Sequence, residues 1–291
     1  MTLIVTTEFE LNKVVAPSLP VAPAEYERLY QDQYSNILRL YFNRLDALIK
    51  QLETKASTAV LQVPYGSFYQ DGTTQLAANI TNNSTTPIQV TSTDDFAPSG
   101  QILIEEELIT YTGKTSTTFT GITRGVYGTT NVAHTAGVYV SESLGVPSPT
   151  VGQAIIFTGT LASYGMELSG TNTSRVVCTT AGVYNFAFSV QMLNFTTSED
   201  NVTVWFKKNG TDVEYSAGVV QVNSKHGSNP GAVIAAWNII LEMSVTDYIE
   251  IYFSSETGNT VCSTYPAGVT PTTPISPSII LTATFVSALP A

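Results

Sequence analysis

Hydrophobic residues between Ala24 and Lys55 repeat at the spacing of a coiled-coil helix. No proline or glycine interrupts this segment, and the apolar positions follow one another in alternating steps of four and three residues. Such a heptad repeat places one apolar stripe along a helix, where it packs on partner helices. Ile37, Phe42 and Ile49 widen the stripe beyond a two-stranded seam, which favours three helices. We therefore predict a coiled-coil helix over residues 24–55 with core positions Tyr34, Leu38, Tyr41, Leu45, Leu48 and Leu52. The alternative is one amphipathic helix that lies on its own domain.

Beyond this segment the hydrophobic period changes to two, the period of β-strands with one buried face. The clearest run has apolar residues at Tyr184, Phe186, Phe188 and Val190, and Asn209-Gly210 after a later run is a hairpin signal. Residues 72–145 contain shorter apolar runs between turn residues. The pattern predicts a mainly β chain with a linker over residues 56–71, a small all-β module over 72–145, a short proline-containing linker, and a jelly-roll β-sandwich over 151–291.

The first 23 residues have prolines at three-residue spacing with apolar residues between them. Proline removes backbone donors, so such a segment favours an extended conformation over a helix. We expect residues 1–23 to form an arm that docks on another protein, and the alternative is a disordered tail. The expected docking residues are Leu3, Val5, Phe9, Leu11, Leu19 and Pro20.

Charge is scarce and unevenly distributed. Only 12% of the 291 residues are charged, about half of the usual ~25%, which indicates that the chain buries surface in an oligomer. The net charge of -11 argues against binding to nucleic acid. No apolar run reaches the ~18 residues that span a bilayer, so we expect no membrane insertion. Residues 24–55 are neutral overall, whereas the chain from residue 56 onward carries -10.

The sequence offers little to a catalyst. The two histidines, His134 and His226, lie among glycine, threonine, serine and asparagine, and no nucleophile elbow, HExxH motif or phosphate-binding loop is present. Glu105–Glu107 could supply paired carboxylates to a glycosidase, but such a charge run also protects an edge strand or a turn, which is the reading we favour. Asp94-Asp95 and Glu199-Asp200 lack the oxygen spacing of a calcium loop. We predict no catalytic residue, no metal and no cofactor.

Two further features are a polar loop and a pair of cysteines. The loop Val222–Gly231 combines a lysine, a histidine and amides between two long strands. One interpretation is that the loop contacts a sugar or a protein, but the interpretation we favour is an ordinary flexible loop. Cys178 and Cys262 are predicted to be small buried residues and not a disulfide framework. The candidate contact residues of the loop are Ser224, Lys225, His226, Ser228 and Asn229.

Four segments resemble the jelly roll of the tumour-necrosis-factor and complement globular-head family. They are TTAGVYNFAFSVQ (179–191), VTVWFKKNGT (202–211), TDYIEIYF (246–253) and IILTATFVS (279–287). Their order and spacing agree with that family over roughly residues 151–289. Members of the family are compact trimers, so the resemblance implies a homotrimer.

Other segments are similar to parts of bacteriophage virions. ILIEEELITYTG (102–113) and FTGITRGVYGTTNVAHTAG (119–137) resemble a small β module of phage fibre and appendage proteins. Residues 18–46 look like the N-terminal attachment segment of structural proteins from aquatic, often cyanobacterial, phages. This resemblance implies a location in the virion after assembly in the bacterial host cytoplasm.

Together these features predict a non-enzymatic, trimeric virion structural protein, a fibre or appendage. Its N-terminal arm would bind other virion proteins, and its C-terminal head would contact a host-surface glycan or protein during host adsorption. The main alternative is a capsid decoration or cement protein that stabilises the head without touching the host. A secreted complement-like signalling protein is a third alternative, disfavoured because the sequence has neither a secretory signal nor collagen-like repeats.

Overall fold

The computed structural model describes residues 17–20, 25–60, 63–146, 149, 151–269 and 271–289, with the backbone alone for 52–60 and 269. The chain divides into two compact units, residues 1–63 and residues 64–291. Within the described residues the structure is mainly β with a single helix. No helix among these residues combines the length and the apolar character needed to cross a membrane.

The first unit contains helix α1, Arg28–Val60. This confirms the predicted helix, although it begins four residues later and ends five residues later than the interval 24–55. Five of the six predicted seam residues, Tyr34, Leu38, Tyr41, Leu45 and Leu48, are partly buried, and the side chain of Leu52 lies outside the described residues. Leu29, Leu40 and Phe42 are exposed. The helix therefore has the predicted stripe, while its pairing with other helices remains a prediction.

The second unit consists of short and long strands joined by turns. The described strands are β1 (Tyr65–Gln70), β2 (Thr73–Gln75), β3 (Ile88–Gln89), β4 (Gly100–Ile104), β5 (Glu107–Tyr111), β6 (Gly113–Lys114), β7 (Thr118–Thr120), β8 (Thr123–Arg124), β9 (Tyr139–Gly145), β10 (Gln153–Ala154), β11 (Gly159–Tyr164), β12 (Met166–Leu168), β13 (Val176–Cys178), β14 (Gly182–Asn194), β15 (Asp200–Lys208), β16 (Thr211–Asp212), β17 (Gly218–Val222), β18 (Gly231–Met243), β19 (Tyr248–Ser255), β20 (Thr260–Ser263), β21 (Gly268–Val269), β22 (Thr272–Thr273) and β23 (Ile279–Ser287).

Two large sheets enclose the main core. The wide sheet has the order β11-β1-β23-β14-β20-β9-β4-β5-β8, with β18 paired to β14 and β2 to β9. The second sheet has the order β12-β13-β19-β15-β16, with β10 on β19 and β17 on β15. The predicted alternation holds, because Tyr184, Phe186 and Val190 of the wide sheet and Phe206 and Ile251 of the second sheet are fully buried in one core. The C-terminal region is therefore a β-sandwich.

The wide sheet also runs through the predicted 72–145 module. Strand β20 pairs with β9 at Val261↔Gly145 and Cys262↔Leu144, so the proline-containing segment after residue 145 does not interrupt the sheet. Strand β1, in residues assigned above to the 56–71 linker, pairs with β11 and β23. The module still has an apolar core of its own, built around buried residues that include Ile88, Ile102 and Phe119.

Two local predictions are confirmed. Asn209 and Gly210 form the tight turn between β15 and β16 with φ of 53° and 80°, a backbone that glycine adopts without strain. Cys178 and Cys262 are buried free thiols.

Candidate functional site

A cleft of about 340 Å³ lies between the β4–β5 turn, the loop that precedes His134, and the loop between β17 and β18. We call it the loop cleft. Residues from both predicted candidate segments line it, namely the glutamate run and the polar loop. The lining residues are Glu105, Glu106, Gly128, Thr129, Thr130, Val132, Phe195, Lys225 and Ser228.

The β4–β5 turn consists of two glutamates. Ile104 pairs with Glu107, so Glu105 and Glu106 alone reverse the chain. Glu105 has φ of 53°, in the left-handed region that glycine and asparagine enter more readily than glutamate. A residue held there costs on the order of 1–3 kcal/mol and persists only where its surroundings fix it. The contacts of the Glu105 side chain therefore matter for this turn.

Those contacts lead from the surface to three buried charged residues. We call the set of Glu105, Glu107, Arg124 and His134 the His134 network. The Nδ1 atom of His134 lies 2.6 Å from Glu105 Oε2, and its Nε2 atom lies 2.8 Å from Glu107 Oε2. Arg124 donates from Nε to Glu107 Oε1 at 2.8 Å and from Nη2 to Oε2 at 2.5 Å. The side chains of His134 and Glu107 are completely buried, whereas that of Glu105 is 55% exposed. One carboxylate at the cleft is thus tied to a rigid interior.

The network favours the charged forms of Glu107 and His134. Burial by itself raises the pKa of Glu107, but hydrogen bonds from His134 and Arg124 outweigh it and lower that pKa to about 2. Burial by itself lowers the pKa of His134, but hydrogen bonds to Glu107 and Glu105 outweigh it and raise that pKa. A charged imidazole donates from both ring nitrogens, which matches its two carboxylate partners.

Glu107 requires a correction. The predicted charge run at an edge strand or a turn describes Glu105 and Glu106, but it is wrong for Glu107, which is a buried residue of β5. The two-residue period of a β-strand could have indicated that Glu107 is buried, because Glu107, Ile109 and Tyr111 lie on the same face of β5 and the latter two are apolar. Arg124 and His134 could not be placed from local pattern, since each reaches Glu107 across at least 17 residues of sequence.

The polar loop is an ordered turn. His226 and Asn229 exchange two backbone hydrogen bonds of 2.9 and 3.1 Å, and the amide of Lys225 donates to the carbonyl of Thr196 at 2.8 Å. His226, Ser228 and Asn229 are exposed, whereas Ser224 and Lys225 are partly buried. Their role in contact with a ligand remains a prediction.

The other predicted site residues lie in the first unit. Leu3, Val5, Phe9 and Leu11 are outside the described residues. Leu19 is exposed, and the carbonyl of Pro20 accepts a hydrogen bond of 3.4 Å from the Tyr30 hydroxyl.

The other acidic candidates differ, since Asp94 and Asp95 are exposed whereas Asp200 is buried. Asp200 accepts hydrogen bonds from Ser255 at 2.5 Å and from Thr260 at 2.6 Å. The part of the chain that the structure describes contains no group of three or more histidine, cysteine, aspartate or glutamate side chains arranged to hold a metal ion.

A second feature, which the sequence pattern did not predict, is the outer face of the wide sheet. Strands β11, β1, β23, β14 and β18 together contain one charged residue, Glu242. In cross-strand rows Ser189 lies between Ile280 and Ala236, and Asn185 lies between Thr284 and Ile240. These side chains point away from the core because they alternate with its buried residues. Strands β15, β16 and β19 of the second sheet, in contrast, contain Asp200, Lys207, Lys208, Asp212 and Glu250.

No protein-family model matches the chain, and no curated protein matches it. Solved structures similar to it include the globular domain of a zebrafish complement 1qA protein, which is 10% identical with a TM-score of 0.28, over 49% of this chain and 90% of that chain. Murine APRIL is 14% identical with a TM-score of 0.29, over 50% of this chain and 95% of that chain. Likeness at this level leaves the function and the assembly to be inferred from the residues of this chain.

Proposed function

We propose that the chain is a non-enzymatic structural protein of a bacteriophage virion and assembles as a homotrimer. The observation that carries the proposal is the nearly charge-free outer face of the wide sheet. Ile234 and Ile240 on this face are 63% and 58% exposed in the single chain. Soluble monomers rarely expose large contiguous apolar patches, and such patches commonly mark protein interfaces. A second copy of the same face would remove these side chains from water.

The shape of the face suits association between copies. Alanine, serine, threonine and asparagine alternate with isoleucine along the rows, so the surface offers small side chains and few long flexible ones. Burying such residues costs little side-chain entropy. The wide apolar stripe on α1 supports three copies in preference to two.

The virion setting rests on the resemblance of residues 18–46 and 102–137 to phage structural proteins. In this proposal the N-terminal segment attaches the trimer to other virion proteins, and the loop cleft with its polar loop contacts the host surface. A capsid decoration protein would share the trimer but would make no host contact. Adsorption measurements separate the two functions.

The decisive experiment places arginine in the outer face of residues 64–291, a fragment without α1. Wild-type fragment is expected to sediment as a trimer, and Ser189→Arg as a monomer with an unchanged circular dichroism spectrum. An unpaired arginine buried between apolar faces costs several kcal/mol. Thr203→Arg is the matched control, because Thr203 is a partly buried hydroxyl residue that faces outward from the second sheet, between Ser254 and Val219. A wild-type fragment that sediments as a monomer contradicts the proposed interface.

A further inference from the structure

The loop cleft combines hydrogen-bond acceptors, a donor and an apolar floor. Glu105 and Glu106 lie on one side and Lys225 and Ser228 on another, while Phe195 and Val132 contribute apolar surface. Phe195 packs with Leu103, Leu108, Leu193 and Val261 in a small apolar cluster, so the floor is fixed. A volume of about 340 Å³ falls within the ~300–1,000 Å³ of small-molecule sites.

The Glu105 carboxylate is held ready for a ligand. Its Oε2 atom is bound to His134, and its Oε1 atom has no hydrogen-bond partner among the described residues. His134 is in turn held by Glu107, and Glu107 by Arg124. An acceptor fixed in this way loses less entropy on binding than a free surface glutamate. The left-handed backbone of Glu105 is an additional strain that a glycine would avoid, so the turn keeps a carboxylate at the expense of local stability.

The charges of the cleft select the chemistry of its ligand. Two carboxylates repel an anion, and the surrounding chain from residue 56 onward carries -10. Lys225 offsets one of the two carboxylate charges and adds a hydrogen-bond donor to the cleft. An uncharged molecule with several hydroxyl groups can donate to the carboxylates and accept from the ammonium and from Ser228. Its C–H face can rest on the apolar floor.

We propose that the loop cleft binds a sugar residue of a neutral glycan, with Glu105 as the principal acceptor and Lys225 as the principal donor. This inference rests on the proposed function, since it names the ligand class for the predicted host contact. It also joins the polar loop to the glutamate turn as one site, which neither segment indicates alone.

An array of immobilised neutral, anionic and amine-bearing glycans tests the proposal with the full-length protein. Binding to at least one neutral glycan is expected. Glu105→Gln should weaken that binding about tenfold or more, because a hydrogen bond to a charged group is worth roughly 1.5–3 kcal/mol. Lys225→Ala should weaken it in the same direction. Both residues belong to surface turns, and circular dichroism confirms that the variants fold.

Glu167→Gln is the matched control, because Glu167 is an exposed carboxylate of β12 outside the lining of the cleft. It should bind the same neutral glycan as tightly as wild type. Binding to no neutral glycan, or binding that Glu105→Gln leaves unchanged, overturns the proposal. Selective binding to amine-bearing glycans also overturns it and indicates a cationic ligand.

Sedimentation of the same samples separates this inference from the proposed function. A trimer that binds no neutral glycan overturns the cleft assignment alone. A monomer that binds a neutral glycan through Glu105 overturns the trimer and leaves the cleft assignment intact.

Discussion

At the scale of single residues, the His134 network links distant parts of the chain. Arg124 also donates to the carbonyls of Thr81 and Val132, and the amide of Val132 donates to Glu107 Oε2 at 3.1 Å. The network therefore fixes a loop and a turn to strand β5 through charged groups. Removing one partner of a buried ion pair leaves an uncompensated charge, which typically costs 3–5 kcal/mol. The rigidity of the loop cleft depends on this arrangement.

Glu142 of β9 is a second buried acid. Its surroundings favour the neutral carboxyl, whereas those of Glu107 favour the carboxylate. Its Oε1 atom accepts a hydrogen bond of 3.2 Å from the amide of Ala97, while Oε2 has no well-aligned partner among the described residues. A Cβ atom on Gly72 would lie 2.8 Å from Oε2 and also 2.8 Å from the backbone carbonyl oxygen of Asp95, so only glycine fits here. Burial raises the pKa of Glu142 to about 7, from an ordinary value of 4.5. The folded protein thus holds this proton more tightly than the unfolded chain.

Replacement of Glu142 by glutamine should make the protein more stable at alkaline pH. Because the folded-state pKa is raised, wild type should lose stability as the pH rises from 4.5 to about 7. His134 titrates in the same direction, since its raised pKa supplies stability at low pH that is lost as the pH rises through that value. Urea unfolding at about pH 8 should show Glu142→Gln more stable by up to about 3 kcal/mol, and little difference at about pH 4.

The comparison isolates Glu142 because His134 is present in both proteins. Glu167→Gln, which changes an exposed carboxylate, should follow wild type at every pH. Equal losses of stability in wild type and Glu142→Gln between the two pH values would show that Glu142 is ionised without penalty.

At the scale of elements, helix α1 allows a direct test of the predicted seam. In a peptide of residues 24–62, Leu38→Asp with Leu45→Asp should abolish both trimer formation and most of the helicity, because it buries unpaired charge at two core positions at a cost of several kcal/mol. Leu40→Asp with Ala47→Asp is the matched control, since both residues are exposed and are also seven positions apart. Sedimentation and far-ultraviolet circular dichroism measure the two effects. Equal effects of the two pairs would favour the alternative of a single amphipathic helix.

The sequence pattern predicted which segments form strands and a helix better than it predicted which strands pair with one another. Alternation located the long strands, since Tyr184 and Phe186 face a common core, and the uninterrupted heptad located α1. Strand β1 was not predicted, because Phe68 is its only fully buried large apolar residue and a single apolar position does not show the two-residue period of a strand. The pairing of β9 with β20 joins residues more than a hundred positions apart, and no local pattern encodes it. The loop cleft could not be predicted for the same reason. The sequence identified the glutamate run and the polar loop that form its two sides, but only the tertiary fold brings them together.

At the scale of the whole molecule, charge is segregated. The wide sheet presents a nearly charge-free outer face, the second sheet carries most of the charged strand residues, and residues 24–55 are neutral while the remainder from 56 onward carries -10. An acidic exterior keeps assembled copies soluble and resists non-specific association. A neutral, apolar-striped segment suits permanent contact with other protein. The two units therefore have surfaces suited to different partners.

Deletion of residues 1–63 should separate assembly from attachment. Residues 64–291 form a compact unit with their own cores, so the truncated protein should fold and remain a trimer through the outer face of the wide sheet. It should be lost from purified virions, because the predicted docking residues and the helix are gone. Incorporation is measured by the ratio of this protein to the other virion proteins on denaturing gels. The control is the full-length Glu167→Gln variant, which changes one exposed carboxylate and should be incorporated normally. Normal incorporation of the truncated trimer would show that the β unit contains the attachment site. It would favour the capsid decoration function, in which the sheets contact the particle directly.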